Sequence, residues 1–265
     1  MILTSASPAA LLLGVTAATA YAIPAVFASR LPEQAAKAAL WLAWVLHGAM
    51  LALSMLQPSP HFGFAPALSV TAWLVLTVYA VERQLFPQLR ARWALAALGA
   101  LAVLLALAFP GQPLHVSASG WLPLHLALGI AAYGLFAAAV VHAALMNRAE
   151  KRLRLAEDPN SGLPLLTLER LTFRFVTAGF VLLSATLVAG VLFSEVLYGR
   201  AWRWDHKAVF SLLSWLTFAA LLLGRKRFGW RGRSAVRVLY AGAVLLLLAY
   251  VGSRFALEVV LGRAP

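Results

Sequence analysis

The chain has 265 residues, 62% of them hydrophobic and only 12% charged, with a formal net charge of +13 and no cysteine. A soluble domain carries roughly 45–50% apolar and about 25% charged residues, so this composition excludes an ordinary soluble domain and predicts an all-α protein embedded in a lipid bilayer. The missing cysteines exclude disulfides, thiolate metal sites and covalent haem attachment, and the basic balance reads as lysine and arginine anchoring membrane loops, with no nucleic acid partner implied.

A helix crossing a hydrocarbon core of roughly 30 Å needs about 20 apolar residues. Runs of that kind occupy 8–28, 36–56, 64–82, 93–109, 122–146, 172–197, 207–224 and 234–261, which predicts eight spans in one integral membrane domain, 1–265. No basic residue precedes the first run, so it is expected to be a retained helix and not a cleaved leader. The loops after spans 1, 3, 5 and 7, with the first turns of the spans that follow them, hold 17 of the 22 basic residues, whereas 57–63 and 110–121 hold none. The excess of cations on alternate loops places those loops in the cytoplasm and both termini outside.

Two connections stand out. Residues 147–171 form the one long cytoplasmic connection, read as a helical extension, a turn at DPNSG and a short re-entry segment, LPLLTLER. Residues 199–207 form the only outer loop with substantial charge, and it contains Trp202-Arg203-Trp204-Asp205-His206-Lys207. There is no internal repeat, phosphate-cradling glycine loop or H-E-x-x-H pattern, which argues against a nucleotide-driven pump or an intramembrane metalloprotease.

The topology gives each of the six histidines a depth. His61, His115 and His206 fall in outer loops, and His125 begins span 5 near the outer surface. His142 follows His125 by 17 residues, about 25 Å down the axis and about 100° around it, so it is expected to be a separate interfacial histidine. His47 sits near the middle of span 2, where an ionisable group is costly unless paired and marks either a functional pathway or a bonded contact to a neighbouring helix. Tyr133 lies two turns below His125 on one face, as either a cavity lining or a packing stripe.

The tryptophan-rich loop also supports two readings. Trp202 and Trp204 suit an aromatic belt, and Asp205 suits the N-cap of span 7. Residues two apart in extended backbone point the same way, so the two indoles also suit a flat apolar shelf for a planar macrocycle. Cations nearby would meet its carboxylates and an imidazole its metal.

These residues resemble the haem-handling cytochrome c assembly proteins of the CcsA and CcmC type, and most closely their shorter YpjD-like and HemX-like relatives. The family's outer loop reads approximately W-G-x-x-W-x-W-D, and the sequence from Tyr198 to Asp205 matches it at Gly199, Trp202, Trp204 and Asp205. LHLALGIAAYGLF is similar to the family helix that begins with an outer histidine, so the haem-ligand role carries over to His125. FSLLSWLTFAALLLGRKRFGWRGR and AYVGSRFALEVVLG are similar to the family's last two helices. No histidine follows His206, where the longer relatives place a second outer one.

The resemblance implies a haem-binding, haem-presenting protein of the bacterial inner membrane, serving cytochrome c assembly beside other assembly components or an apocytochrome. Expected haem contacts are Trp202, Trp204, Asp205, His47, Arg200 and Arg203, with His125 approaching the iron, His206 joining it by its position in the loop and not by the family pattern, and Lys207 near the propionates. No catalytic constellation is visible, so positioning and not bond-making is expected. The alternatives are a small-solute or ion permease using His47 and a HemX-like regulatory subunit engaging a soluble partner through 147–171.

Overall fold

The computed structural model describes residues 8–27, 30–57, 61–85, 92–113, 121–155, 164–192, 194 and 204–261. Almost all of them are helical, and seven helices are long and apolar enough to cross a membrane. The molecule is a predominantly helical, multi-pass membrane protein. Its residues form two compact units: Met1–Gln84 with Arg90–His115 and Arg254–Pro265, and Leu85–Leu89 with Val116–Ser253.

The first unit contains α1 (Pro8–Val26), α2 (Glu33–Met55), α3 (Phe64–Leu85) and α4 (Arg92–Ala108). Lipid tails are as apolar as leucine, so helices there associate by close packing and hydrogen bonds, which favours small residues at the contacts. Gly14 of α1 accordingly meets Leu107 of α4 and Met50 of α2, while Gly99 of α4 meets Tyr21 and Leu76. Between α2 and α3 the Trp44 and Trp73 rings stack with centroids 5.1 Å apart. The Trp44 indole donates to Thr77 Oγ1 at 2.8 Å, and the Trp73 indole to the Trp44 carbonyl at 3.0 Å.

A short antiparallel ribbon joins two segments that the sequence presents as plain loops. β1 (His61–Phe62) pairs with β2 (Gln112–Pro113), His61 opposite Pro113. The crossing is tight because Gly111 adopts φ +84°, and a Cβ there would lie 2.6 Å from the Phe62 carbonyl carbon. Only glycine meets both demands.

The second unit contains α5 (Trp121–Arg154), α6 (Leu165–Leu192), α7 (His206–Phe228) and α8 (Gly232–Leu247), the last running on through the π-helical turn Leu248–Gly252. The segment expected to re-enter separately after DPNSG is instead continuous with α6 from Leu165 onward, and DPNSG itself lies outside the described residues. Cross-helix partners fix the directions. Gly179 of α6 meets Phe136 of α5, and His142 of α5 meets Phe175 of α6, so these two helices are antiparallel. Trp215 of α7 donates its indole proton to Ser184 of α6 at 2.8 Å, and Arg225 bonds Glu169, which makes α6 and α7 antiparallel too. Helices α5 and α7 therefore run the same way.

At the centre of this unit the rings of Phe136 and Phe218 stack at 3.8 Å, tilted by only 7°. Gly242 of α8 backs Phe218, and a Cβ there would lie 2.7 Å from its ring. Ser214 Oγ donates to the Gly242 carbonyl at 2.9 Å one turn above. His142, expected at an interface, is buried in this core: its Nδ1–H donates to the Ala138 carbonyl at 2.8 Å and its ring lies against Phe175.

The contrast between two helical glycines gives a test. Gly242→Ala forces a methyl into a ring already stacked on Phe136 and is expected to cost ~1–3 kcal/mol. Gly129→Ala meets only Thr186 Cγ2 at 3.6 Å, an ordinary contact, and is expected to be neutral or to stabilise by ~0.5–1 kcal/mol. Thermal unfolding of the two variants in detergent checks the ranking; equal melting temperatures would contradict the packing described.

Candidate functional site

The parallel pair α5 and α7 carries the residues that matter for chemistry. Phe136 and Phe218 fix the relative level of the two helices. Eleven residues up each helix, three turns plus about 20° and roughly 16 Å along the axis, stand His125 on α5 and Lys207 on α7. Each keeps the face of the phenylalanine below it, so both stand on the sides by which α5 and α7 meet. His206, one residue earlier, stands at the same level but about 120° around α7. The burial agrees with these phases: His125 and Lys207 are half-buried, and His206 is exposed.

Asp205 sets where α7 begins. Its backbone is extended, and its side chain accepts from the Ala208 amide at 2.9 Å, an N-cap that satisfies one of the four amides a helix start leaves unpaired. A carboxylate there also meets the positive end of the helix dipole. Immediately before it Trp204 is 70% exposed. Trp202, Arg200 and Arg203 lie outside the described residues, as does His115.

Below His125 the α5 face is a packing surface. Tyr133 donates its hydroxyl to the Leu246 carbonyl on α8. Directly beyond that acceptor the backbone widens into the π-helical turn Leu248–Gly252, where hydrogen bonds step five residues instead of four. The carbonyls such a widening displaces need other donors, and Tyr133 serves one of them. Ser253 answers the next two, lying 3.1 Å from the Ala249 carbonyl and 3.0 Å from that of Tyr250.

His47 belongs to the first unit and is fully buried. Its Nε2 lies 2.8 Å from Ser69 Oγ on α3 and its Nδ1 3.4 Å from Tyr21 Oη on α1, so both ring nitrogens face hydroxyls of neighbouring helices. The Tyr21 ring meets the imidazole edge-on at 5.8 Å. His61 sits on the ribbon, close to a polar pair that the sequence reading passed over. Arg254 and Glu258 approach to 3.8 Å, and a Cβ at Gly63 would lie 2.9 Å from both carboxylate oxygens. Their i, i+4 spacing in SRFALEV was the available signal. Among the described residues no group of three or more histidines, cysteines or carboxylates comes together.

The sequence matches the family of cytochrome C assembly proteins over residues 8–261. The chain belongs to that family. Among its relatives, cytochrome c biogenesis protein CcsA of Prochlorococcus marinus is 34% identical over 113 residues, covering 40% of this chain and 36% of that protein. Inner membrane protein YpjD of Escherichia coli is 33% identical over 149 residues, covering 55% of this chain and 56% of that protein. The chain thus spans from about a third to just over half of the length of these relatives.

The cap of α7 offers a local test. Asp205→Ala is expected to cost ~1 kcal/mol and Asp205→Asn much less, because asparagine caps nearly as well. Hydrogen exchange of the Ala208 and Val209 amides should quicken in the alanine variant alone. Equal acceleration in both would show that charge, not the cap, holds this turn.

Proposed function

We propose that the histidine-bearing end of the second unit binds haem and presents it for cytochrome c assembly at the outer face of a bacterial cytoplasmic membrane. The observation that carries this reading is the levelling of α5 and α7: one aromatic stack brings the His125 imidazole, the Lys207 amine, the His206 imidazole and the exposed Trp204 indole to one end of one bundle. This donor set suits a metalloporphyrin. An imidazole ligates iron, an indole covers an apolar ring face, and a cation pairs with a propionate as a charge-assisted contact.

In this reading His125 is the primary iron ligand, because the face it keeps is the one that meets α7. His206, exposed at the same level on α7, would supply a second ligand. Trp204 and Trp202 would cover the porphyrin, while Lys207, Arg200 and Arg203 would pair with the propionates. Asp205 holds the first turn of α7 so that these groups keep their places. Haem supplies the iron and its redox couple; the chain supplies orientation and release, with no bond-making catalysis.

We assign His47 a different task within the same proposal. An imidazole with a hydroxyl at each nitrogen is a tether among three helices, which supports helix packing and not a transport pathway. Eight crossings with both termini outside follow if α4 also spans. At 17 residues it reaches about 26 Å and packs lengthwise on α1.

The absorption spectrum of the purified protein tests the reading. The wild type is expected to carry or take up haem with a six-coordinate spectrum, His125→Ala to lose haem or show a shifted Soret band, and His206→Ala to keep haem with an altered axial signature. Protein that is isolated without haem and takes up none when it is added would sink the proposal.

A further inference from the structure

The opposite end of the second unit has a different chemistry. Cations gather there from all four helices: four at the end of α5, two at the start of α6, three at the end of α7 and three around the start of α8. Against these twelve, the described acidic residues at this end are Glu150 and Glu169.

The two carboxylates are already engaged within the unit. Glu169 accepts from Arg225 at 2.6 Å and lies 3.8 Å from Arg231. Arg225 in turn sits over the Phe173 ring, its guanidinium carbon 3.7 Å from the centroid. Glu150 pairs with Arg154 at 2.5 Å and with Arg233 at 3.6 Å. These contacts brace the framework and leave a large net positive charge at the surface. Lys226, Arg227 and Arg237 are exposed, and so is most of Arg231, at 71%.

The turn between α7 and α8 decides what kind of anion this surface fits. It is short: α7 ends at Phe228, Gly229 closes it in a left-handed conformation, and α8 starts at Gly232. Such a turn cannot project its cations far from the helix ends. Phe228 is 75% exposed within it, and Trp230 folds back over the last turn of α7, so close that a Cβ at Gly224 would lie 2.4 Å from its ring. Exposed aromatics beside cations at the ends of apolar helices are the arrangement of a bilayer interface, where rings sit at headgroup level and basic clusters attract anionic lipid.

We propose that the RKRFGWRGR turn, Arg225 to Arg233, is the centre of a binding surface for anionic phospholipid. Lys226, Arg227 and Arg231 face the headgroup phosphates, and Phe228 enters the acyl boundary beside them. Glu169 holds Arg225 and steadies the turn. The lipid ties this end of the bundle to one leaflet, independently of what the histidine-bearing end binds.

Lipid binding to the purified full chain, read by native mass spectrometry and by melting temperature in mixed micelles, tests this. Phosphatidylglycerol is expected to bind and raise the melting temperature, phosphatidylcholine to do neither, and added salt to weaken the effect by screening. The variant Lys226→Gln/Arg227→Gln/Arg237→Gln spares every braced cation and is expected to weaken phosphatidylglycerol binding by roughly a hundredfold, since each cation near an anionic surface contributes about a factor of five. Phe228→Ser is expected to weaken it with no change in net charge. Equal binding of both lipids by the wild type would overturn the proposal. So would wild-type affinity in the triple variant, or binding of inorganic phosphate or a soluble acidic polypeptide in preference to phosphatidylglycerol.

Discussion

The stack of Phe136 on Phe218 is the contact from which the geometry of the second unit follows. It joins α5 and α7, which are not neighbours in sequence and run in the same direction. Gly179 approaches Phe136 and Gly242 approaches Phe218, so the rings are gripped by two further helices. One contact thus sets the levels of all four helices. Because helices are rigid over three turns, a level fixed in the core is passed to the ends, where the histidines and cations stand.

Inside a bilayer this grip cannot rest on the hydrophobic effect, and polar groups have no water to fall back on. The protein meets both constraints with the same residues. The Trp215 indole is bonded to Ser184, whose hydroxyl reaches back to the Phe180 carbonyl at 2.7 Å, while the Phe180 and Trp215 rings stack. In the first unit the Trp44–Trp73–Thr77 set and the Tyr21–His47–Ser69 set do likewise, each joining helices through a large ring that carries a polar atom. Such interhelical bonds contribute about 0.6–2 kcal/mol each, modest singly but directional. They fix rotation about the helix axis, which apolar packing alone specifies poorly.

Much of this was legible in the sequence and some was not, for identifiable reasons. The helices were legible because hydropathy reports burial in lipid directly, and the Asp205 cap because capping is local. The ribbon of His61–Phe62 with Gln112–Pro113 was not, since two residues carry no periodicity and the pairing joins distant loops. Gly111 was its trace, but a positive φ is invisible until the chain is folded. His47 and His142 showed the limit of depth as a guide. Their positions along the axis were readable, but whether an imidazole meets a hydroxyl, a carbonyl or a ring depends on the neighbouring helix. Tyr133 was legible as lying on one face with His125, whereas its acceptor required the widened turn of α8.

The same rigidity divides the second unit into two chemically distinct ends. At one, a carboxylate caps a helix start, and imidazoles, an amine and an indole stand level with one another. At the other, among the described residues, Glu150 and Glu169 brace four of the twelve cations. Helices that begin at the first end and finish at the second carry their dipoles in register with this division: Asp205 at the positive end of α7, Arg225, Lys226 and Arg227 at its negative end. The imidazole-bearing end and the densely basic surface therefore arise from one arrangement of parallel and antiparallel helices. In the proposed reading the cations of the opposite end stay clear of His125 and His206, so the propionates are met by a few chosen cations and not by a field of them.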